Sequence, residues 1–107
     1  MANNIFLAGA SKKAAFSWSD PSLVGLPLQL ELYMSKDGGV TKTTTTGPQN
    51  FTAAASNPFS LTIAMPTATG DYQAFITVSY NGTIIEGFQD INTEIIPSGS
   101  FTPITWS

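Results

Sequence analysis

The stretch GDYQAFITVSYNGTIIEGF, residues 70–88, predicts a β-hairpin. Its two arms are rich in β-branched and aromatic residues, and they meet at Asn81-Gly82, the dipeptide that best tolerates the positive φ angles of a type I′ turn. Every second residue of the first arm is apolar or aromatic and falls on one face of a strand. These residues are Tyr72, Ala74, Ile76, Val78 and Tyr80. Phe75 breaks the pattern, because it falls on the otherwise polar face.

The rest of the chain repeats short alternating segments separated by turn residues. Residues 26–34 give the clearest segment, because five apolar side chains share one face and predict a central core strand, with Pro27 at its start or on an edge. Residues 40–46 include four consecutive threonines, which suit a half-exposed strand but specify its register weakly. The remaining predicted strands are 4–9, 14–18, 51–55, 59–65, 90–96 and 101–106.

This pattern predicts an all-β fold of eight to ten short strands. A chain of 107 residues forms one domain, 1–107, that is large enough to bury a core of its own. No window of eleven residues carries a helical stripe of apolar side chains, so helix should be nearly absent. Turn residues recur about every 8–12 positions, as in a sandwich of two antiparallel sheets.

Two local features resemble the immunoglobulin-like superfamily. Thr69-Gly70-Asp71-Tyr72 followed by alternating apolar residues is similar to the turn and tyrosine that open strand F, the tyrosine corner. The Asn81-Gly82 hairpin is similar to the F–G turn. The cysteine pair of antibody domains is absent, and Trp18 comes too early to be the tryptophan of strand C. The resemblance covers residues 14–96 and implies an immunoglobulin-like β-sandwich, with no activity attached.

Three missing residue types exclude several function classes. Without Cys there are no disulfides, thiolate nucleophiles or Cys-ligated metal sites. Without His the usual general base and the commonest transition-metal ligand are missing. Without Arg, and with four lysines and a net charge of −3, the chain lacks the cationic surface that nucleic-acid binding needs.

Paired carboxylates are the catalytic chemistry that remains. Glu31 and Glu86 lie on predicted strands, and the aspartates lie in or near turns. Nothing in their spacing brings two carboxylates to the separation of about 5–10 Å that glycoside hydrolysis needs. Calcium binding by turn carboxylates is an alternative, although no D-x-D-x-D-G pattern is present. We therefore expect no enzyme activity, no cofactor and no metal. The aspartates are Asp20, Asp37, Asp71 and Asp90.

The few charges are unevenly distributed. All four lysines lie in the first 42 residues, and every charge after them is acidic. This arrangement is either chance or a polarised surface that orients the domain against an oppositely charged neighbour. Charged residues make up 10% of the chain, against about 25% in an average soluble domain. So weakly charged a surface is poorly protected against association.

Aromatic residues and the chain ends supply the candidate contact residues. Tyr33 and Phe75 each lie opposite the apolar row of their strand, where an aromatic marks either a second buried layer or a contact surface. Phe6 lies in the end segment 1–13, and Phe101 and Trp106 lie in the end segment 97–107. An end strand either adds to a neighbour's open sheet edge or closes the domain's own sheets. Exposed aromatics could also form a stacking platform for a sugar. The residues that could form it are Trp18, Tyr33, Phe75, Phe88 and Trp106.

These observations favour a non-enzymatic structural module. No secretory signal or membrane-spanning stretch is visible, so the chain is expected either to be used without export or to be an excised domain. Its composition resembles that of small virion proteins of tailed phages, which decorate or cement the capsid or serve as tail accessories by contacting other virion proteins or copies of themselves. The alternative is an extracellular, carbohydrate- or cell-surface-binding module cut from a larger bacterial protein. A glycosidase using Glu31 and Glu86 is a third, less favoured possibility.

Overall fold

Short strands account for most of the fold. The computed structural model describes the backbone of residues 4–96 and the side chains of residues 5–89. Within 4–96 there are eight strands, one turn of 3-10 helix at Pro21–Leu23 and no α-helix, which confirms the all-β prediction. No helix in this range is long and apolar enough to cross a membrane. The strands are β1 Asn4–Leu7, β2 Ser11–Trp18, β3 Pro27–Ser35, β4 Thr44–Thr45, β5 Gln49–Thr52, β6 Asn57–Ala64, β7 Gly70–Tyr80 and β8 Thr83–Ile96.

The strands form two sheets of unequal width. In the large sheet the order is β1-β8-β7-β3, and both β4 and β5 pair with the far edge of β3. All of these pairs are antiparallel except β1 with β8, which is parallel. The small sheet consists of β2 and β6, paired antiparallel along their whole length. The two sheets enclose the core, so the predicted two-sheet sandwich is confirmed.

The hairpin predicted from residues 70–88 organises the large sheet. Asn81 has a φ of 51° and Gly82 a φ of 79°, as a type I′ turn requires. The second arm does not stop at Phe88 but continues to Ile96, so the separately predicted strand 90–96 is the end of β8. An irregularity between Tyr72 and Ala74 shifts the register, and pairing with β7 then resumes. A bulge of this kind lets one long strand continue where a break was expected.

Alternating residues of β3, β6 and β7 fill the core. One cluster gathers around Tyr72, which is 1% exposed, and a second gathers around Leu30, which is 0% exposed. Burying a side chain of this size contributes about 1.5–3 kcal/mol. Pro27 lies at the start of β3, where it removes no central ladder hydrogen bond. The buried members of the two clusters are Leu28, Leu30, Leu32, Met34, Ala53, Ile63, Met65, Tyr72 and Val78.

The hydroxyl of Tyr72 donates a hydrogen bond to the backbone carbonyl of Ala68 at 2.9 Å. The ring is buried where β7 begins, so this bond ties the preceding turn to the core. This is the geometry of a tyrosine corner. The local feature that suggested an immunoglobulin-like fold is therefore present, while membership of that superfamily stays a prediction.

The predicted strand 40–46 is mostly absent, because only Thr44–Thr45 pair with β3. Side chains hold the preceding residues in a compact loop instead. The Asp37 carboxylate accepts hydrogen bonds from Ser35 Oγ at 2.6 Å and from the Thr41 amide at 2.8 Å. The Gly39 amide donates to Ser35 Oγ at 3.0 Å. Such local bonds compete with ladder pairing for the same backbone groups, and in this loop they form in place of strand pairing.

Candidate interaction site

Among the described residues 4–96, one side of the sandwich is left open, because the small sheet is narrower than the large one. Phe88 lies opposite Ile76 in the β7–β8 ladder, and directly opposed residues of an antiparallel pair project to the same face. Ile76 packs against both core clusters, so Phe88 projects to the core side as well. Phe88 is nevertheless 62% exposed. Within residues 4–96, β2 pairs with β6 alone, and no strand lies along its other edge.

Between the free edge of β2 and the inner face of β8 lies an apolar groove. We call it the β2–β8 groove and define it by Phe16, Trp18, Ile76, Glu86 and Phe88. It consists of two adjoining cavities of about 230 Å³ and 80 Å³, which share Trp18, Ile76 and Phe88.

The aromatic wall of the groove is held firmly by its neighbours. Trp18 Nε1 donates a hydrogen bond to Glu86 Oε1 at 3.1 Å, and the Trp18 ring meets Phe51 edge-on at 5.8 Å between centroids. Phe16 stacks on Phe59 at 5.5 Å. The buried side chain of Asn57 donates to the Trp18 carbonyl at 3.0 Å, which fixes the end of β2. Because these contacts restrict both rings before any partner arrives, little order is lost on binding.

A pair of carboxyl groups lies at the Trp18 end of the groove. Asp20 and Glu86 are within hydrogen-bonding reach of each other. Asp20 Oδ1 also accepts from the amide and the hydroxyl of Ser22, at 3.0 and 2.7 Å. The shared hydrogen bond lowers the pKa of Asp20, helped by Ser22, and raises the pKa of Glu86. Two like charges at this distance favour retention of one proton or the arrival of a cation.

The spacing of the acidic residues along the sequence did not indicate this pair. The pairing was invisible in the sequence because 66 positions separate Asp20 from Glu86 and the fold alone brings them together. Asp20 and Glu86 are both half-buried.

The opposite end of β2 carries positive charge. Lys12 lies opposite Ile63 in the β2–β6 ladder, so it projects to the same face as Phe16 and Trp18, and its side chain is exposed. Neither Lys12 nor Lys13 forms an ion pair within the described part of the chain. Lys12 and Trp18 are six positions apart, which is about 20 Å along an extended strand. The open edge thus has a basic end and an acidic end.

The sequence-predicted contact residues Tyr33 and Phe75 come together on the outer face of the large sheet. Their rings stack at 5.2 Å with an angle of 9° between the planes. Tyr33 is 6% exposed, because the loop after β3 covers it. Lys42 Nζ lies 5.1 Å from its ring centre, and Lys42 also pairs with Glu31 at 2.7 Å. Of the two alternatives for these aromatics, the burial of Tyr33 favours a second buried layer.

The other predicted contact residues lie elsewhere. Phe6 is half-buried and packs against the core cluster of Tyr72, and β1 pairs with β8 of the same chain. This placement favours the alternative in which the first segment closes the domain's own sheet. Phe101 and Trp106 fall outside the described residues. Trp18 and Phe88, both considered for a stacking platform, do come together in the groove.

A larger depression lies away from the groove. It has a volume of about 440 Å³ and is lined by apolar, amide and hydroxyl side chains of β3, β5, β7 and the 81–82 turn. Gln29 Nε2 donates to Asn50 Oδ1 at 2.9 Å across it. It contains no ionisable side chain, whereas the smaller β2–β8 groove combines aromatic rings with charges. No group of three or more acidic side chains that could hold a metal ion occurs within the described part of the chain.

Comparison with known proteins adds no family. No protein-family model matches the chain, and no curated protein matches its sequence.

Proposed function

We propose that this chain is a non-enzymatic structural module that works by protein–protein contact. The observation that carries the proposal is Phe88, an aromatic side chain that projects to the core side of the sheet and is 62% exposed. Covering the exposed part of such a ring contributes about 1–2 kcal/mol. A partner that fills the β2–β8 groove would gain this free energy, and the aromatic wall is already in place to receive it.

The virion setting is the second part of the proposal. Low charge, an apolar groove and a fold without disulfides suit a small protein that adds buried area to a capsid or tail through contacts with other virion proteins or with copies of itself. Its mechanism is adhesion without chemistry. No nucleic acid or membrane is required as a partner.

Phe88 and Ile84 provide a matched test of the proposal. Both lie on β8 and both are 62% exposed, but Ile84 lies opposite Ser79 in the ladder and projects to the outer face. Phe88→Ser and Ile84→Ser would each be placed in the gene of the phage that encodes this chain. Copies of the chain per purified particle would then be counted by quantitative immunoblot, with immunogold electron microscopy of wild-type particles.

We expect the wild-type chain and the Ile84→Ser variant to be present on the particles. The copy number of the Phe88→Ser variant per particle should be lower by at least about tenfold. Circular dichroism of the purified variants would show that both are folded. Wild-type chain absent from purified particles would refute the virion setting. Equal incorporation of the two variants would refute the role of the groove.

Carbohydrate binding is the second candidate function. The observation that favours it is the combination of the Trp18 and Phe88 rings with the carboxyl groups of Asp20 and Glu86. Aromatic faces pack against the CH groups of a sugar, and carboxylates accept hydrogen bonds from its hydroxyls. A glycan array probed with wild-type protein and with Phe88→Ser would support this function if the wild type bound a glycan and the variant did not.

A further inference from the structure

The free edge of β2 indicates what kind of segment would fill the β2–β8 groove. Within the described residues 4–96, the eight residues of β2, from Ser11 to Trp18, have no partner strand on the side away from β6, so backbone hydrogen-bonding groups there are unpaired. A strand added there would lie about 4.8 Å from β2. It would also lie beneath the inner face of β8, since the small sheet stops short of Phe88. One added strand would therefore pair the backbone groups at the edge of β2 and also cover the exposed ring of Phe88.

Resting on the proposed function, we propose that this strand is β2 of a second copy of the chain, paired antiparallel about a two-fold axis at Phe16. The contact is isologous, so each copy gives and receives the same surface. Each copy would extend the small sheet of the other from two strands to four.

Charge decides the orientation. Lys12 lies at one end of β2, and Asp20 with Glu86 lies at the other. Parallel pairing would place the lysines of the two copies side by side and the acidic groups side by side. Antiparallel pairing places the ammonium of Lys12 against the carboxyl pair of the second copy, twice in each dimer. Lysines on an edge strand normally discourage strand addition, and here only the antiparallel partner neutralises them.

The same charges and the alternation of faces decide the register. With Phe16 opposite Phe16, Ala14 is opposite Trp18, and Lys12 is opposite Asp20. The backbone of Asp20 is still extended, with a φ of −152° and a ψ of 104°, so it can lie in line with the strand. A shift by one residue would place residues from the outer face of β2 in one copy opposite residues from the inner face of β2 in the other. A shift by two in either direction would take Lys12 away from Asp20.

Two exposed residues on the outer face of β2 allow this register to be tested by cysteine substitution. Ala15 and Ser17 are opposite each other in the proposed pairing, and the chain has no Cys of its own. Opposed Cα atoms lie about 4.5–5.5 Å apart in an antiparallel pair, which is within the range of a disulfide. The variants Ala15→Cys and Ser17→Cys would be oxidised alone and as an equimolar mixture, and the products separated on a non-reducing gel.

We expect a disulfide-linked dimer in the mixture that joins one Ala15→Cys chain to one Ser17→Cys chain, identified by mass spectrometry, and little dimer from either variant alone. Dimers from Ala15→Cys alone, or from Ser17→Cys alone, would overturn the register because they indicate a shift by two residues. No dimer in any reaction would overturn the pairing.

Charge reversal provides an independent readout with no new cysteine. In sedimentation equilibrium, wild-type protein is expected to dimerise, and Lys12→Glu to weaken the dimer by at least about tenfold. Adding Asp20→Lys to Lys12→Glu should restore the dimer. Lys13→Glu is the control, because Lys13 projects to the other face of β2 and should weaken the dimer less. Failure of the double variant to recover would overturn the charge pairing.

A wild-type protein that stays monomeric at all concentrations would overturn the inference. If Trp106→Ser then allowed dimers to form, the occupant of the groove would be the chain's own C-terminal segment. If the wild type is monomeric and yet present on virions, the inference fails and the proposed function stands. If it is monomeric and also absent from virions, both fail.

Discussion

Replacing Gly39 by alanine tests how tightly the loop after β3 packs over the stacked rings of Tyr33 and Phe75. A Cβ at Gly39 would lie 3.1 Å from Phe75 Cε2 and 3.2 Å from the Tyr33 hydroxyl oxygen. Gly39 also has a φ of 94°. Gly38 is the matched control, since its φ is 76° and a Cβ there would meet nothing within 4 Å.

The expected free energies follow from these contacts. A left-handed backbone costs an L-residue about 1–2 kcal/mol, and both variants bear this cost. Only Gly39→Ala must also displace the aromatic pair, whose stacking contributes about 0.5–1.5 kcal/mol beyond its buried area. We therefore expect the free energy of unfolding to fall by about 1–2 kcal/mol in Gly38→Ala and by about 1 kcal/mol more in Gly39→Ala. That difference corresponds to about 4–5 °C in Tm for a domain of this size.

Urea unfolding followed by tryptophan fluorescence measures both free energies. The effect of Gly39→Ala should shrink in a Phe75→Leu background, because the ring that the new Cβ meets is then gone. Equal losses in Gly38→Ala and Gly39→Ala would refute the argument, because they would show that the loop does not press on the rings.

Three further predictions concern single hydrogen bonds and carboxyl groups. Tyr72→Phe removes the bond to the Ala68 carbonyl and should lower the free energy of unfolding by about 1 kcal/mol in urea; an unchanged value would show that the corner is not stabilising. Hydrogen bonds from Ser35 and Thr41 lower the pKa of Asp37 to about 2, so its ionised form stabilises the fold above pH 3.8 and this stability is lost as the pH falls through about 2. Melting temperatures from pH 4 to pH 2 should therefore fall more steeply for wild type than for Asp37→Asn, and parallel curves would contradict this. The hydrogen bond to Asp20 raises the pKa of Glu86 above 4.5, so its protonated form stabilises the fold at low pH and this stability is lost as the pH rises through the raised value. Glu86→Gln should gain melting temperature relative to wild type over that rise, and a constant difference between them would argue against the shared proton.

The sequence by itself determined the local elements. Asn81-Gly82 fixed the hairpin because few other dipeptides adopt two positive φ angles in succession. The alternation in 26–34 and in 70–80 identified β3 and β7 and the faces that they bury, since the side-chain period of a strand is two. The turn and tyrosine at 69–72 predicted the tyrosine corner. All of these signals lie within a few residues of the feature that they specify.

The tertiary structure decided everything that depends on distant parts of the chain. The sequence placed Tyr33 and Phe75 on the unexpected face, but only the folded loop shows that Tyr33 is covered. Strands can be predicted one at a time, whereas the width of each sheet depends on which strands pair, so the open side beside Phe88 had no sequence signal. Asp20 and Glu86 meet for the same reason: they approach through space, and the spacing of residues along a chain carries no record of such an approach.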